Sequence, residues 1–294
     1  PISTDVPTPA PTPAPAPAPI VAPSTSDSFG LGGQVAHFGG NAISAMNLSG
    51  MTWVNRQTHW SPGANATDHV HAITDAHGKG FKVLLSVIGG PSNAGPEKFP
   101  EYASFVGQLA ANGADAIEVW NEQNLDREWA AGLISPSSYT ELLKQSYNSI
   151  KAANANTMVI SGALAPTGYF GGCTPAGCDD LPFLSSMVTY GALNYTDCVG
   201  IHYNEGLLSP TVSSGDPRGA SSHYTRYYPG MVNTYWNAIG GARQLCFTEI
   251  GYLSGQEWGS LPTSFRWSGD YNMTVAQHAQ YLGEAVSLAR SQGK

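Results

Sequence analysis

Residues 114–121 read A-D-A-I-E-V-W-N, a short apolar and β-branched run that ends in polar side chains. Runs of this kind, bounded by turn residues, predict buried strands. Helical patterns with apolar residues three and four positions apart lie between such runs, as from Ser137 to Asn154 and from Thr274 to Ser291. This alternation of strand and helix indicates a parallel sheet. The other six strand candidates lie at 30–38, 52–60, 81–88, 157–163, 198–204 and 244–250.

Seven such units favour a (β/α)8 barrel of the TIM type, which would occupy residues 29–294 as one domain. A doubly wound nucleotide-binding sheet is the weaker interpretation, because the glycine pairs at 32–33, 39–40 and 89–90 do not form G-x-G-x-x-G. In a barrel, functional side chains gather at the C-terminal ends of the strands. Those ends are therefore where a site is expected.

The eighth βα unit is missing from the pattern. The helical segment that ends at Ser291 is followed only by Q-G-K. Without an eighth strand, two edges of the sheet would expose unpaired backbone N–H and C=O groups, a state that invites pairing with another chain. We therefore expect the natural protein to continue beyond Lys294. The alternative is that the N-terminal segment, another chain or a rearranged segment covers the gap.

Charge and composition exclude some partners. The 294 residues include 13 Lys and Arg against 21 Asp and Glu, a formal net charge of −8. These few basic side chains cannot form a continuous positive surface that would neutralise a run of phosphates. Nucleic acid is therefore not an expected partner. No window approaches the roughly 20 apolar residues of a membrane span. A surface rich in Gly, Asn, Ser, Thr and Tyr suits a neutral ligand such as a glycan.

Residues 1–28 form a tract of Pro, Ala and Thr, which predicts an extended linker rather than part of a core. Such a linker would tether the barrel to a wall, a membrane or a second module. The alternative is a remnant segment without a role. The tract therefore favours a secreted or cell-surface protein.

Four cysteines fit no zinc spacing. Cys173 and Cys178 bracket the turn T-P-A-G, which predicts a disulfide across that loop in an oxidising compartment. Cys198 and Cys246 begin neighbouring strands, and the sequence leaves open whether they form a bridge or stay as two buried thiols.

Two strand ends each carry a carboxylate. Glu122 follows the strand at 114–121, and Glu249 lies near the end of the strand at 244–250. These are the fourth and seventh strands, which face each other across the mouth of a barrel. Retaining glycoside hydrolysis requires two carboxyl groups about 5–5.5 Å apart, one protonated to assist the leaving group and one ionised to attack the anomeric carbon. The spacing therefore predicts this chemistry.

The motifs W-N-E at 120–122 and T-E-I-G at 248–251 resemble those of the clan-A glycoside hydrolases, and the resemblance covers residues 30–294. It implies a secreted retaining hydrolase of β-linked glycans that needs neither a cofactor nor a metal. It also implies that Glu122 is the general acid/base and Glu249 the nucleophile. Asn121 would then bind the sugar 2-hydroxyl group.

The resemblance suggests further residues around the nucleophile. His202 and Tyr203 match a His/Tyr element of the clan, although here the two are adjacent rather than separated by one residue. A tyrosine hydroxyl would keep Glu249 ionised, and the pKa of Glu122, close to a second carboxylate, would be raised. Arg56 and Gln57 would support the nucleophile, with a structural arginine as the alternative.

Aromatic side chains cluster in the expected rim loops and beside the catalytic pair. Flat rings stack on the apolar faces of sugars, so this cluster predicts substrate subsites, with packing in a small satellite core as the alternative. The residues expected to bind substrate are Trp60, Trp120, Trp258 and Trp267, near Trp129, Phe265 and Tyr271.

The sequence thus favours a hydrolase that cleaves β-linked polysaccharide internally. An exo-acting β-glucosidase or β-xylosidase is the nearest alternative, with its cleft closed by the 205–222 and 253–273 loops. A non-catalytic glycan-binding barrel is a third possibility, although the presence of both carboxylates argues against it.

Overall fold

A computed structural model describes residues 29–35, 37–257, 259 and 273–294, and for Glu205 only the backbone. Seven parallel strands form one sheet in the order β1-β2-β3-β4-β5-β8-β9, and β6 and β7 form a separate antiparallel hairpin. The strands are β1 (Gly32–Gln34), β2 (Trp53–His59), β3 (Lys82–Ile88), β4 (Ala116–Val119), β5 (Met158–Leu164), β6 (Cys173–Thr174), β7 (Gly177–Cys178), β8 (Cys198–Gly206) and β9 (Gln244–Tyr252).

Helices follow most strands of the main sheet and cover its outer face. They are α1 (Gly40–Leu48), α2 (Val70–Gly78), α3 (Phe99–Ala111), α4 (Pro136–Ala153), α5 (Asp180–Thr189), α6 (Tyr228–Ala238) and α7 (Val275–Gln292). Side-chain caps fix the start of the two longest. Ser135 accepts from the backbone N–H of Ser138 at α4, and Thr274 and Gln277 form a capping box at α7. The helices expected over 137–154 and 274–291 are thereby confirmed to within one residue.

Tyrosine hydroxyl groups tie the helices to the sheet. Tyr102 on α3 donates to the carbonyl of Val87 at 2.8 Å, and Tyr139 on α4 donates to the carbonyl of Val119 at 2.8 Å. Both rings are fully buried in the apolar layer between sheet and helices. Each satisfied hydroxyl lets a large ring contribute its buried area without leaving an orphaned polar group. The ends of β3 and β4 are thus held firmly against the helix layer.

The sheet curls as a TIM barrel that lacks one unit, as the sequence predicts. Strands β1 and β9 lie at its two edges, and the described residues contain no eighth strand between them. The backbone N–H of Leu245 on β9 donates to the carbonyl of Lys294 at 2.7 Å, so the last described residues run beside that edge. Among the described helices, none combines the length and apolarity of a membrane-spanning segment.

Both cysteine pairs form disulfides. Cys173–Cys178 closes the β6-β7 hairpin, which confirms the loop bridge. Cys198–Cys246 joins β8 to β9, so of the two possibilities that the sequence leaves open, the bridge is the one formed. The linker predicted over 1–28 lies outside the described residues and stays a prediction.

Candidate active site

The two glutamates lie at the same end of the sheet because parallel strands β4 and β9 present their C-terminal ends together. Glu122 lies three residues beyond the end of β4, and its backbone N–H donates to the carbonyl of Ala163 at 2.8 Å. Trp120 and Glu122 both adopt positive φ, 70° and 45°. Such angles are uncommon for residues other than glycine and often mark functional sites. The sharp turn buries the Trp120 ring while Glu122 turns toward the neighbouring strands.

His202 on β8 links the two carboxylates. Its Nδ1 lies 3.2 Å from Oε1 of Glu122 and 3.8 Å from Oε2 of Glu249, and its side chain is fully buried. Because both oxygens lie close to one nitrogen, the distance between the two oxygens is at most about 7 Å. The two carboxyl groups are about 5–5.5 Å apart in retaining glycosidases and about 6.5–9.5 Å apart in inverting ones. The strands therefore bring together the pair that the sequence singles out.

Glu122 is held by two nitrogen donors. His202 engages Oε1, and the guanidinium of Arg127 forms an ion pair with Oε2. Burial raises the pKa of Glu122, but the hydrogen bond and charge of His202 and the charge of Arg127 outweigh it, so the pKa lies below its ordinary value. The expected rise in the pKa of Glu122 is therefore wrong, because the sequence pattern associated His202 with Glu249 rather than with Glu122 and contained no sign of Arg127.

Glu249 is more open than Glu122. Its side chain is 29% exposed against 10% for Glu122. The amide of Asn204 donates to Oε2 of Glu249 at 2.8 Å, in the place where a tyrosine hydroxyl was expected. This contact orients the carboxylate.

Tyr203 lies on the other face of β8, because successive side chains of a strand point to opposite faces. Its ring packs against Tyr228 and Tyr252, and its hydroxyl donates to the carbonyl of Arg226 at 3.3 Å. The expectation that Tyr203 binds substrate is therefore wrong. His202 and Asn204, on the face opposite to Tyr203, meet the carboxylates.

Arg56 and Gln57 also lie on opposite faces of β2. Gln57 pairs in register with Ser86, whose hydroxyl lies inside the barrel against Glu118. Its exposed side chain therefore lies at the inner rim. Arg56 pairs with Leu85, which belongs to the core under the helices. The expectation that Arg56 supports the nucleophile is wrong, because the alternation of the strand directs it away from the site.

Two of the expected sugar platforms are core residues. Trp60 is 2% exposed and packs edge-on against Tyr102, with ring centroids 5.2 Å apart. Trp120 is 1% exposed and packs against Tyr102 and Trp129, which is itself buried. The expected subsite role is wrong for both. Trp258 and Trp267, with Phe265 and Tyr271, lie outside the described residues.

Several side chains around the site carry no recognisable motif in the sequence. Burial and the charge of Glu122 raise the pKa of Glu128 to about 6. Tyr169 is 73% exposed, and its ring packs against Phe170, with ring centroids 4.4 Å apart. Glu118 lies within β4, where strand alternation directs each side chain either into the barrel or into the helix layer. The sequence could therefore have identified it as a buried carboxylate.

The disulfide hairpin supports the loop that follows Glu122. Asn124 accepts from the backbone N–H of Ala165 at 2.9 Å through its side-chain oxygen, and its amide donates to the carbonyls of Ala165 and Cys178 at 3.0 Å. The backbone N–H of Cys178 donates back to the carbonyl of Asn124 at 2.8 Å. The hairpin thereby fixes the start of the loop that carries Arg127.

No group of three or more His, Cys, Asp and Glu side chains within the described ranges is arranged to hold a metal ion. The site consists of carboxylates, one imidazole, one guanidinium and one amide. Such a set can transfer protons and form an ester through a carboxylate.

No protein-family model matches the chain, and no curated protein matches it. Among solved structures, it resembles a family 39 glycoside hydrolase from the gut symbiont Bacteroides cellulosilyticus WH2, with a TM-score of 0.55 and 19% identity over 88% of this chain and 53% of that one. This chain therefore spans about half the length of that enzyme.

Two other solved structures have the same architecture. One is a GH5-4 broad-specificity endoglucanase from Clostridium longisporum, with a TM-score of 0.54 and 12% identity over 86% of this chain and 73% of that one. The other is the GH53 catalytic domain from Ignisphaera aggregans, with a TM-score of 0.52 and 13% identity over 86% of this chain and 74% of that one. The chain thus shares the barrel fold of these glycoside hydrolases, and the resemblance carried by the two sequence motifs is confirmed as a likeness of fold.

Proposed function

We propose that this protein is a retaining β-glycoside hydrolase that cleaves β-linked polysaccharide by double displacement. The observation that carries the proposal is the placement of Glu122 and Glu249 within 4 Å of the same nitrogen of His202. This placement limits the two oxygens to a separation of about 7 Å, a limit that includes the roughly 5–5.5 Å needed for retention and leaves out most of the inverting range.

Glu249 is the nucleophile in this mechanism. It is accessible, and the amide of Asn204 orients its carboxylate. Its carboxylate attacks the anomeric carbon as the bond to the leaving oxygen breaks, which gives a glycosyl ester. Asn121, buried directly beside Glu122, is the residue proposed to bind the 2-hydroxyl group.

Glu122 is the acid/base. It assists departure of the leaving sugar by supplying a proton, and it later takes a proton from the water that hydrolyses the ester. Arg127 holds one oxygen of Glu122, so the leaving sugar would lie beside this guanidinium. The exposed ring of Tyr169 is a proposed sugar platform, and Trp258 and Trp267 remain proposed platforms beyond the described residues.

The Pro-rich segment at 1–28 fits a tether between this barrel and a surface or second module. A tethered barrel that acts on insoluble glycan would be a secreted or cell-surface protein. The β configuration of the linkage rests on the resemblance to the clan.

A panel of polysaccharides tests the proposal. Purified protein is incubated with β-glucans, xylan, mannan and chitosan, and released reducing ends are measured beside Glu249→Gln. An exposed glutamate on α4 provides the control, Glu141→Gln. We expect release on one polymer class by wild type and by Glu141→Gln, and none by Glu249→Gln. Binding to a glycan without release would instead identify a non-catalytic glycan-binding barrel.

A further inference from the structure

A buried hydrogen-bond chain runs from Glu118 to the acid/base through two other residues. Glu118 on β4 is 1% exposed. Its Oε1 accepts from the hydroxyl of Thr248 at 2.7 Å, and that hydroxyl lies 3.1 Å from Nε2 of His202. Nδ1 of the same ring faces Glu122. The chain thus connects a carboxyl group inside the barrel to the catalytic one.

The direction of each hydrogen bond follows from counting donors. Oε1 of Glu118 also accepts from the backbone N–H of Ala163 at 3.1 Å, which marks this oxygen as an acceptor. Thr248 has one hydroxyl proton, and it points to that oxygen. Nε2 of His202 must therefore carry the proton of its bond to Thr248.

This direction does not depend on the charge of Glu118. Burial raises the pKa of Glu118, against the lowering effects of His202 and of its hydrogen-bond donors. If the carboxyl group of Glu118 is protonated, the proton lies on Oε2 and is donated to the hydroxyl of Ser86 at 2.6 Å. The hydroxyl of Ser86 then donates its own proton to Oδ1 of Asn55 at 3.1 Å. Oε1 accepts from Thr248 in either case.

With Nε2 committed to Thr248, only Nδ1 of His202 is free to exchange a proton with the catalytic pair. It lies 3.2 Å from Glu122 and 3.8 Å from Glu249. These two, Glu118 and Glu128 are the carboxylates whose charges interact with the ring, and Arg127 meets Glu122 from the solvent side.

We propose that His202 stores the proton that the leaving group receives, and that Thr248 positions the ring for this task by holding it in the Nε2–H form. This inference rests on the proposed function. Before the reaction, one proton is shared between Nδ1 of His202 and Oε1 of Glu122. The pair loses that proton to the glycosidic oxygen as its bond to the anomeric carbon breaks and Glu249 bonds to that carbon. In the second step, water adds its oxygen to the anomeric carbon, releases Glu249 and returns a proton to the pair.

The proton store explains how a carboxylate so well stabilised in its ionised form can serve as an acid. The hydrogen bond and charge of His202 lower the pKa of Glu122 against its burial. Burial lowers the pKa of His202, but the bond to Glu122 and the charges of Glu249, Glu118 and Glu122 raise it above the ordinary value. Both directions are consistent with one proton held between the two side chains.

The test combines the tautomer of His202 with the pH profile. Protein labelled with ¹⁵N-histidine is titrated by NMR, and the variant His202→Gln assigns the signal among the eight histidines. We expect the neutral ring to carry its proton on Nε2. We also expect the ring to lose its second proton over the pH range in which kcat/KM falls on the alkaline side.

Thr248→Val removes the acceptor for Nε2–H, and Thr248→Ser keeps a hydroxyl there. We expect the valine variant to move the neutral proton to Nδ1 and to lower the alkaline limb by about one pH unit, because an unpaired Nε2–H destabilises the protonated ring. The serine variant should restore the tautomer and the limb.

The inference would be overturned if the neutral ring of wild-type His202 carried no proton on Nε2. It would also be overturned if Thr248→Val did not shift the alkaline limb of the kcat/KM profile. If the valine variant does not fold, the wild-type tautomer still decides. If wild type cleaves no glycan, the proposed function fails, but the NMR result is obtained all the same, so the two failures are distinguishable.

Discussion

The ends of β4 and β9 carry the two carboxylates, but they hold them in different ways. At β4, Glu122 is buried, follows a sharply turned backbone and contacts both His202 and Arg127. At β9, Glu249 is more exposed and is held by the amide of Asn204. In the proposed mechanism, the residue that changes its protonation is thus surrounded by partners, whereas the residue that reaches a carbon atom is left accessible.

Removing the accessible carboxylate has the largest expected effect. Glu249→Ala should lower kcat by at least about 10⁴-fold on every substrate, because no ester can form without the nucleophile. Steady-state rates on the polysaccharide found in the panel measure this loss. The matched control is Glu141→Ala on the exposed face of α4, which should keep wild-type rates. Near-wild-type turnover by Glu249→Ala would refute the assignment.

Removing the enclosed carboxylate should give a smaller and substrate-dependent effect. Glu122→Ala should lower the rate on polysaccharide by roughly 10²–10⁴-fold, because the sugar leaving group needs a proton. Aryl glycosides with acidic phenols need little assistance, so their glycosylation step should be largely spared. Pre-steady-state rates on both substrates measure the difference, and equal losses on both would contradict the acid/base role.

Trp60 belongs to the core rather than to the site, so its replacement should reduce the stability of the fold. Trp60→Ala should lower the free energy of unfolding by about 3–5 kcal/mol, because the ring is buried against Tyr102. Denaturant titration measures this change. Trp60→Phe keeps an aromatic ring and should leave KM unchanged. A raised KM without a loss of stability would restore the subsite role.

The smallest expected effect concerns the partner of Glu122. A bell-shaped pH profile is expected, since one carboxylate must be ionised while a proton is available at the other. The positive charge of Arg127 favours ionised Glu122, so Arg127→Gln should raise the pKa of Glu122 and move the alkaline limb upward.

The shift should be only a few tenths of a pH unit, because the Arg127 side chain is 63% exposed and solvent screens its charge. Profiles of kcat/KM for this variant and for Lys144→Gln, which removes an exposed cation of α4, measure it. A downward shift, or an equal shift in both variants, would show that Arg127 does not hold the charge of Glu122.

Strand positions and strand-end carboxylates could be predicted from the sequence because both depend on local patterns. The run at 114–121 contains β4, and Glu122 follows it as expected. The face of the sheet to which an individual side chain points was harder to predict. In the adjacent pair His202 and Tyr203, only the register with the neighbouring strands decides which residue points inward.

Long-range partners could not be predicted for the same physical reason. Thr248 meets Glu118 across 130 positions of the sequence. Trp60 is apolar and near a strand end, and that pattern fits a sugar platform as well as a core residue. Only the packing of Tyr102 against the ring distinguishes the two.

Trapping the covalent intermediate tests the central claim most directly. The protein is incubated with the 2-deoxy-2-fluoro glycosyl fluoride of the sugar that it releases, digested and analysed by mass spectrometry. The account predicts one glycosyl group on Glu249, with no label in Glu249→Gln. A label on a different residue, or hydrolysis that inverts the anomeric configuration without any label, would contradict it.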